Sequence, residues 1–382
     1  MKYYIISGEA SGDLHGANLM RAILKRQPDA NIRFWGGDRM AQVAASSTSV
    51  VQVRHIRDLA FMGIVEVLSH LGTITGNLRF CKEDIINFEP DVMVFIDYPG
   101  FNLKIAKFTH SRGIRNVYYI SPQIWAWKKG RIRPMRRDLD KLCYILPSER
   151  AFYARNSFPQ AVYVGHPLLD EVERYRSNAT VKSQHPSTDC TKNIALLPGS
   201  RKQELRRMLP VMFKLAQRHP EYHFTIAAMS LIGKDFYEKY LPSALTNLEL
   251  VFDSTYGILQ NSYAAVVCSG TATLETALFR VPQVVCYQCN RISAFIARIL
   301  IGNSIKYISL VNLIADSPVV KELIQSDFND DVLDSEFAAV TTDTKNRQRV
   351  LDGYDRMIQI LEGPGASDRT AEIIIQVANS LK

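Results

Sequence analysis

Runs such as "YYIIS" (residues 3–7), "VMVFID" (92–97), "VYYIS" (117–121) and "YAAVVCSG" (263–270) are almost continuously apolar, with no alternation of polar and apolar positions. A strand half-exposed to water alternates, whereas a strand covered on both faces does not, so these runs predict the inner strands of parallel sheets with helices on either side. The stretches between them, such as Leu14 to Arg26 and Asn102 to Ser111, carry helical periodicity. The expected fold class is therefore α/β.

The pattern occurs twice. In the first half "IRFWGG", "LCYILP" and "AVYVG" complete the strand set, and in the second "IALLPGS", "HFTIAAM", "LELVF" and "PQVVCYQ" do. Between the halves "LDEVERYRSNATVKSQHPSTDCTKN" is polar and breaks the rhythm. This predicts an N-terminal Rossmann-like domain over 1–170, a linker over 171–192, a second Rossmann-like domain over 193–355, and a terminal segment over 356–382. The helix in that last segment, "DRTAEIIIQVANSLK", could pack on either half. With 382 residues there is enough chain for two such cores, and doubly wound sheets bind ligands at the carboxyl ends of their strands.

Composition narrows the functional classes. No apolar run reaches the roughly 20 residues of a spanning helix; the best, "ISAFIARILIG", is short and broken by Arg298. No secretory leader precedes the first strand, so a cytoplasmic protein is expected. Of six cysteines, only "CYQC" (286–289) has metal or redox spacing; it lacks a second pair and continues an apolar run, which favours a buried strand. A net charge of +8 suits an anionic partner. Nucleic acid is not expected, because no nucleic-acid module is recognisable.

Two stretches in the second half and four in the first could carry chemistry. "LLPGSR" ends a strand before a helix, offering backbone N–H groups at Gly199 and Ser200 and a forked cation at Arg201. "CSGTATLE" repeats the device: Ser269, Gly270, Thr271 and Thr273 surround a helix start, and Glu275 could accept two ribose hydroxyls. These two loops predict the pyrophosphate and ribose seat. The opening turn "SGEASGD" also resembles a phosphate loop, yet Glu9 and Asp13 would repel a pyrophosphate there. "DYPGFN" sets Asp97 at a strand end. "SPQIWAWKKGRIRPMRR" places Trp125 and Trp127 beside cations, a combination suited to a sugar phosphate or lipid headgroup. His166 of "VGHPLLD" reads equally well as a structural or a catalytic histidine. No Asp-x-Asp element marks a metal site at the strand ends of the second half, so neither metal nor cofactor is expected.

Taken in order, "SGEASGD", "MGIVEVL", "SPQIWAWK", "VGHPLLD", "LLPGSR" and "GTATLE" resemble the lipid-A-disaccharide synthase family over essentially the whole chain. The resemblance implies a GT-B architecture, two Rossmann-like domains facing each other across a cleft. It implies an inverting transfer from UDP-2,3-diacylglucosamine to the 6-hydroxyl of 2,3-diacylglucosamine 1-phosphate, giving the β-1,6-linked lipid A disaccharide 1-phosphate and UDP. The second half would then hold the nucleotide, and the first-half loop with Glu9, Ser11 and Asp13 would serve the acceptor. From their places at the strand end and in the adjacent loop, Asp97 first, then Glu9, then Asp13 are expected as general base; the family's own leading candidate for the essential acid/base is a second aspartate at that strand end. Where the family pattern reads Asp-x-Pro-Asp-Phe-Asn, this chain has Gly100 in place of the second aspartate, and Val311 stands where a proline is usual. Peripheral attachment to the anionic inner face of the cytoplasmic membrane is expected through "LAFMGIVEVL", with Val65 and Leu68 on one helical face. A homodimer is compatible with this reading. The competing enzymatic reading is a UDP-N-acetylglucosamine 2-epimerase on the same scaffold.

Overall fold

The continuous apolar runs form the inner strands of two parallel sheets. The computed structural model describes residues 1–58, 71–125, 129–177, 192–241, 245–289 and 306–380. The first sheet contains β1 (Lys2–Ser7), β2 (Asn31–Gly36), β3 (Val50–His55), β4 (Val92–Ile96), β5 (Arg115–Tyr119), β6 (Lys141–Tyr144) and β7 (Ala161–Tyr163). Their spatial order is β3-β2-β1-β4-β5-β6-β7. The second sheet contains β8 (Asn193–Leu197), β9 (His223–Ala228), β10 (Leu248–Phe252), β11 (Ala264–Cys268), β12 (Gln283–Tyr287) and β13 (Lys321–Ile324), in the order β10-β9-β8-β11-β12-β13. Each sheet thus reverses direction beside its first strand, between β1 and β4 and between β8 and β11. Such a reversal opens a crevice at the carboxyl ends of the strands.

The chain divides into a unit of 1–170 with 364–382 and a unit of 171–363. In the first, Tyr3, Ile5, Val94 and Val117 face helix Ala10–Arg26 and the terminal helix Ala366–Asn379. Tyr4, Ile6, Phe95 and Tyr118 face the other way, toward Cys81, Ile85, Phe101 and Ile105. Both faces of each inner strand are dry, which is why the sequence shows no alternation. In the second unit Ile194, Leu196 and Val266 pack against Leu205, Met208 and Leu209 of helix Lys202–Arg218, and Ala195, Leu197 and Val267 pack on Ile258.

Asp170 explains where the terminal helix goes. Its carboxylate accepts the N–H groups of Gly365 (2.5 Å), Ala366 (3.2 Å) and Ser367 (2.8 Å), capping helix Ala366–Asn379 at the point where the chain returns to the first unit. The polar segment expected as a linker from 171 begins inside helix Pro167–Ser177. Residues 178–191 lie outside the described residues. Cys286 is buried in β12, in keeping with a structural strand.

Candidate active site

In the first unit the loops after β1 and β4 meet at the reversal point. Asp97 and Tyr98, which follow β4, have φ of 43° and 51°. Two successive non-glycine residues in the left-handed region are strained, and such strain persists only where the surroundings fix it. Asn102 supplies part of that fixing. Its amide nitrogen donates to the Asp97 carbonyl at 2.7 Å and to the Ile96 carbonyl at 3.3 Å. The Tyr118 hydroxyl also donates to the Asp97 carbonyl. Gly8 lies against the Tyr98 ring, where a Cβ would come within 2.3 Å of it. A side chain at position 8 would drive the two loops apart.

This close approach sets the electrostatics. Burial, and then the charge of Glu9, push the Asp97 carboxyl up from 3.8 to about 6. Glu9 is the N-cap residue of helix Ala10–Arg26, yet its side chain makes no capping bond. It is half-buried, and Ser11 beside it is exposed. One carboxylate titrating near neutrality and a second beside it form a site that can bind and deprotonate a hydroxyl.

Asp13 is not part of it. The helix begins at Ala10, so Asp13 sits within its first turn and is buried. Its oxygens accept the N–H groups of Gly37 (2.6 Å), Arg39 (3.0 Å) and Met40 (3.1 Å). A carboxylate holding three donors at the start of helix Asp38–Ala44 is a structural cap, which corrects its place among the base candidates. His166 is structural too. It is buried, its ring is held neutral at about 3 chiefly by burial, and its Nδ1 accepts the Leu168 N–H at 3.3 Å. Trp125 is half-buried beyond β5, and its indole N–H finds no partner among the described residues. Trp127, Val65 and Leu68 lie outside the described residues.

In the second unit the loops after β8 and β11 occupy the equivalent position. Gly199 has φ of +105°, and a Cβ there would meet the Glu204 carboxylate at 2.5 Å. That carboxylate reaches back to the N–H groups of Ser200 and Arg201, both at 3.2 Å. Of the two backbone donors expected to face a phosphate, that of Ser200 is therefore held by an internal anion. The Arg201 side chain is 61% exposed and only loosely paired with Glu204, at 3.7 Å, so it is available to an incoming anion.

The second loop needs a similar revision. Thr273 is fully buried; its hydroxyl donates to the Gly270 carbonyl at 2.8 Å and accepts the Leu310 N–H at 3.3 Å. Ser269 donates to the Ile308 carbonyl at 2.9 Å. These hydroxyls build the loop rather than face an anion. Of the three hydroxyl side chains only Thr271 is exposed, beside the exposed Gly270 at the start of helix Thr271–Leu278. Glu275 is half-buried one turn in, and one of its oxygens accepts the Tyr256 hydroxyl at 2.9 Å. Residues 308–312 form the neighbouring wall. Glu322 accepts the Ile308 and Ser309 N–H groups and the Asn312 side chain, at 3.0, 2.9 and 2.9 Å. Sequence reading passed over Glu322, Asn102 and Tyr256, because each acts by holding a neighbour.

Two Rossmann-like units with this strand order are the GT-B architecture of nucleotide-sugar enzymes. A UDP-GlcNAc 2-epimerase from Neisseria meningitidis bound to UDP-GlcNAc superposes with a TM-score of 0.66 at 14% identity, covering 100% of both chains. The glycotransferase of kitacinnamycin gives 0.66 at 14% identity over 99% of each, and Acinetobacter baumannii MurG gives 0.55 at 14% identity over 98% of this chain and 99% of that one. Within that class the chain belongs to the lipid-A-disaccharide synthetase family, whose family model matches residues 3–375. It is 37% identical over 372 residues to the lipid-A-disaccharide synthase of Syntrophus aciditrophicus, covering 96% of this chain and 95% of that one. The counterpart from Nitrosococcus oceani is 34% identical over 378 residues, covering 97% and 95%. The chain is accordingly a glycosyltransferase that takes a sugar-nucleotide donor and a sugar acceptor.

Proposed function

We propose that the enzyme transfers a 2,3-diacylglucosamine unit from UDP to the 6-hydroxyl of 2,3-diacylglucosamine 1-phosphate. The products are the β-1,6-linked disaccharide 1-phosphate and UDP. The observation that carries this reading beyond family membership is the Asp97 and Glu9 pair at the β1/β4 reversal, with Asp97 titrating at about 6. At neutral pH Asp97 is mostly ionised and only modestly basic, the condition a general base needs. It takes the proton of the acceptor hydroxyl as that oxygen attacks the anomeric carbon. The carbon–oxygen bond to UDP breaks on the opposite face, so the configuration inverts. Glu9, at the mouth of the same loop, binds acceptor hydroxyls.

The second unit holds the donor. Arg201 and the N-terminus of helix Thr271–Leu278 offset the charge that builds on the departing UDP, and Glu275, set by Tyr256, takes the ribose. These groups supply the role a divalent cation would otherwise play. The deciding experiment incubates the purified chain with both diacylglucosamine substrates and measures disaccharide and UDP by mass spectrometry. Full activity in EDTA is expected. An epimerised UDP-sugar in place of a disaccharide would establish the competing 2-epimerase reading.

The acyl chains of both substrates belong in a bilayer, and the chain carries a formal charge of +8. No described helix is long and apolar enough to cross a membrane. These features support peripheral attachment at the anionic inner face of the cytoplasmic membrane. Sedimentation with phosphatidylglycerol vesicles should fall as salt rises; no binding at low salt would refute it.

A further inference from the structure

The loop after β5 lies beside the strand end that bears Asp97, and it too is strained. Ile120 has φ of +63°, where a β-branched side chain is a genuine outlier. Hydrogen bonds pin the backbone on both sides: the Ile120 N–H donates to the Cys143 carbonyl at 3.0 Å, and the Asp97 N–H to the Tyr119 carbonyl at 3.1 Å. The next residue, Ser121, is buried, and its hydroxyl forms a short hydrogen bond with the hydroxyl of Tyr153. The Tyr153 hydroxyl lies 3.4 Å from Oε1 of Glu149, whose Oε2 accepts the Leu146 N–H at 3.1 Å. Glu149 is only 1% exposed. A carboxyl is almost never buried this deeply without a reason, and the base chemistry assigned above makes no use of it.

We propose that Glu149, acting through Tyr153 and Ser121, is a positioning residue for the transfer, holding residues 120–125, and Trp125 with them, against the strand end that bears Asp97. The clamp works with Glu149 as a neutral carboxylic acid, because burial lifts its carboxyl from 4.5 to about 8. The Leu146 N–H and the hydroxyls of Tyr153 and Ser121 offset only part of that burial. The titratable groups facing the cluster are Tyr153 on the same helix, Tyr144 on β6 and Tyr118 on β5, with the Arg131 charge reaching Tyr118. Burial raises the Tyr118 and Tyr153 phenols, so neither changes charge before the carboxyl does, and Tyr144 is buried beside them. Ionisation of Glu149 at alkaline pH therefore puts a charge into a site built around a neutral acid and loosens the loop. The proposal rests on the transfer reading for its catalytic half, and for the clamp on the hydrogen-bond geometry with the raised carboxyl beside it.

The test compares the full chain with Glu149→Gln, which mimics the neutral acid, and with Glu149→Ala and Tyr153→Phe. In the parent, the stabilising proton on Glu149 is kept by the folded state and lost by the unfolded one between its ordinary 4.5 and about 8, so stability falls as pH rises through that window. The drop in Tm from pH 5 to pH 8.5 should be smaller in Glu149→Gln by about 4 °C or more. Trypsin cleavage within 128–137, taken as the ratio of parent to Glu149→Gln, should rise above pH 8. In the transfer assay the parent should lose kcat above pH 8. Glu149→Gln should keep neutral-pH kcat within about threefold and lose that alkaline limb, while Glu149→Ala and Tyr153→Phe should lose about tenfold in kcat with donor KM little changed. An alkaline limb that persists in Glu149→Gln overturns the positioning role. Equal Tm profiles and equal cleavage in parent and Glu149→Gln overturn the clamp, and they do so even if no transfer is detected, an outcome that would instead refute the substrate assignment.

Discussion

Replacing Asp97 by asparagine removes the charge while leaving the shape and backbone of the site in place. Asparagine, like aspartate, tolerates the left-handed conformation at φ of 43°, so the β4 turn keeps its geometry. In the parent the folded carboxyl has moved from 3.8 to about 6, driven first by burial and then by Glu9. An acid raised in the folded state costs stability once the pH exceeds its unfolded value, and the cost is complete above its folded value. The shift corresponds to at most about 3 kcal/mol, and solvent at the partly exposed strand end leaves about 1–2 kcal/mol of it. Asp97→Asn should therefore melt with the parent at pH 4 and about 2–6 °C above it at pH 7.5. Turnover at pH 7.5 should fall by about 10² or more while UDP affinity is unchanged, because the amide cannot accept the proton. Calorimetry across pH, with initial rates on the same samples, reads both. A variant with near-normal turnover refutes the base assignment; one that melts below the parent at pH 7.5 refutes the electrostatic account of the site.

Glu9→Gln removes the charge that helps raise Asp97, so the acid limb of kcat/KM should move to lower pH with turnover within about tenfold of the parent; abolished turnover would transfer the base role to Glu9. Arg201→Ala and Glu275→Ala should each weaken UDP binding, by about tenfold for the forked cation, as titration calorimetry would show; parent-like affinity in both would remove the donor from these loops. Gly100 is exposed, and a Cβ there meets nothing within 4 Å, so Gly100→Asp should fold and gain about 1 kcal/mol in denaturant titrations from a better residue in the first helical turn. A rise in turnover as well would show that an aspartate here contributes to the chemistry. Asp170→Ala strips the cap from the terminal helix and should cost about 1–3 kcal/mol in the same titrations, with Asp170→Asn recovering part of it.

The inner strands of the two sheets were legible because burial on both faces leaves an unbroken apolar run. Of the four edge strands, β7 (AVY) and β10 (LELVF) still keep a largely apolar run, whereas β3 (VVQVRH) and β13 (KELI), absent from the sequence reading, carry polar and charged residues among the apolar ones. The same physics separates the parts of the site that could be read from those that could not. Asp97 and Glu9 stand at strand and helix ends, where a carboxylate without a local task is conspicuous in sequence. Asp13, Thr273 and Ser269 occupy equally suggestive places, but their oxygens are taken by backbone groups that only the fold brings near: Gly37 and Met40 for Asp13, Leu310 for Thr273, Ile308 for Ser269. Spacing along the chain can put a polar side chain at a loop, but it cannot tell whether its hydrogen bonds are already made. Glu204 carries the point furthest. In sequence it is an ordinary first-turn acid, and in the fold it holds the Ser200 and Arg201 N–H groups that the loop would otherwise offer to a phosphate. Donor binding at that loop must therefore rely on the exposed guanidinium of Arg201, or displace Glu204 from its donors. For that reason the side chain of Arg201, rather than the glycine turn before it, should decide how tightly the nucleotide is held.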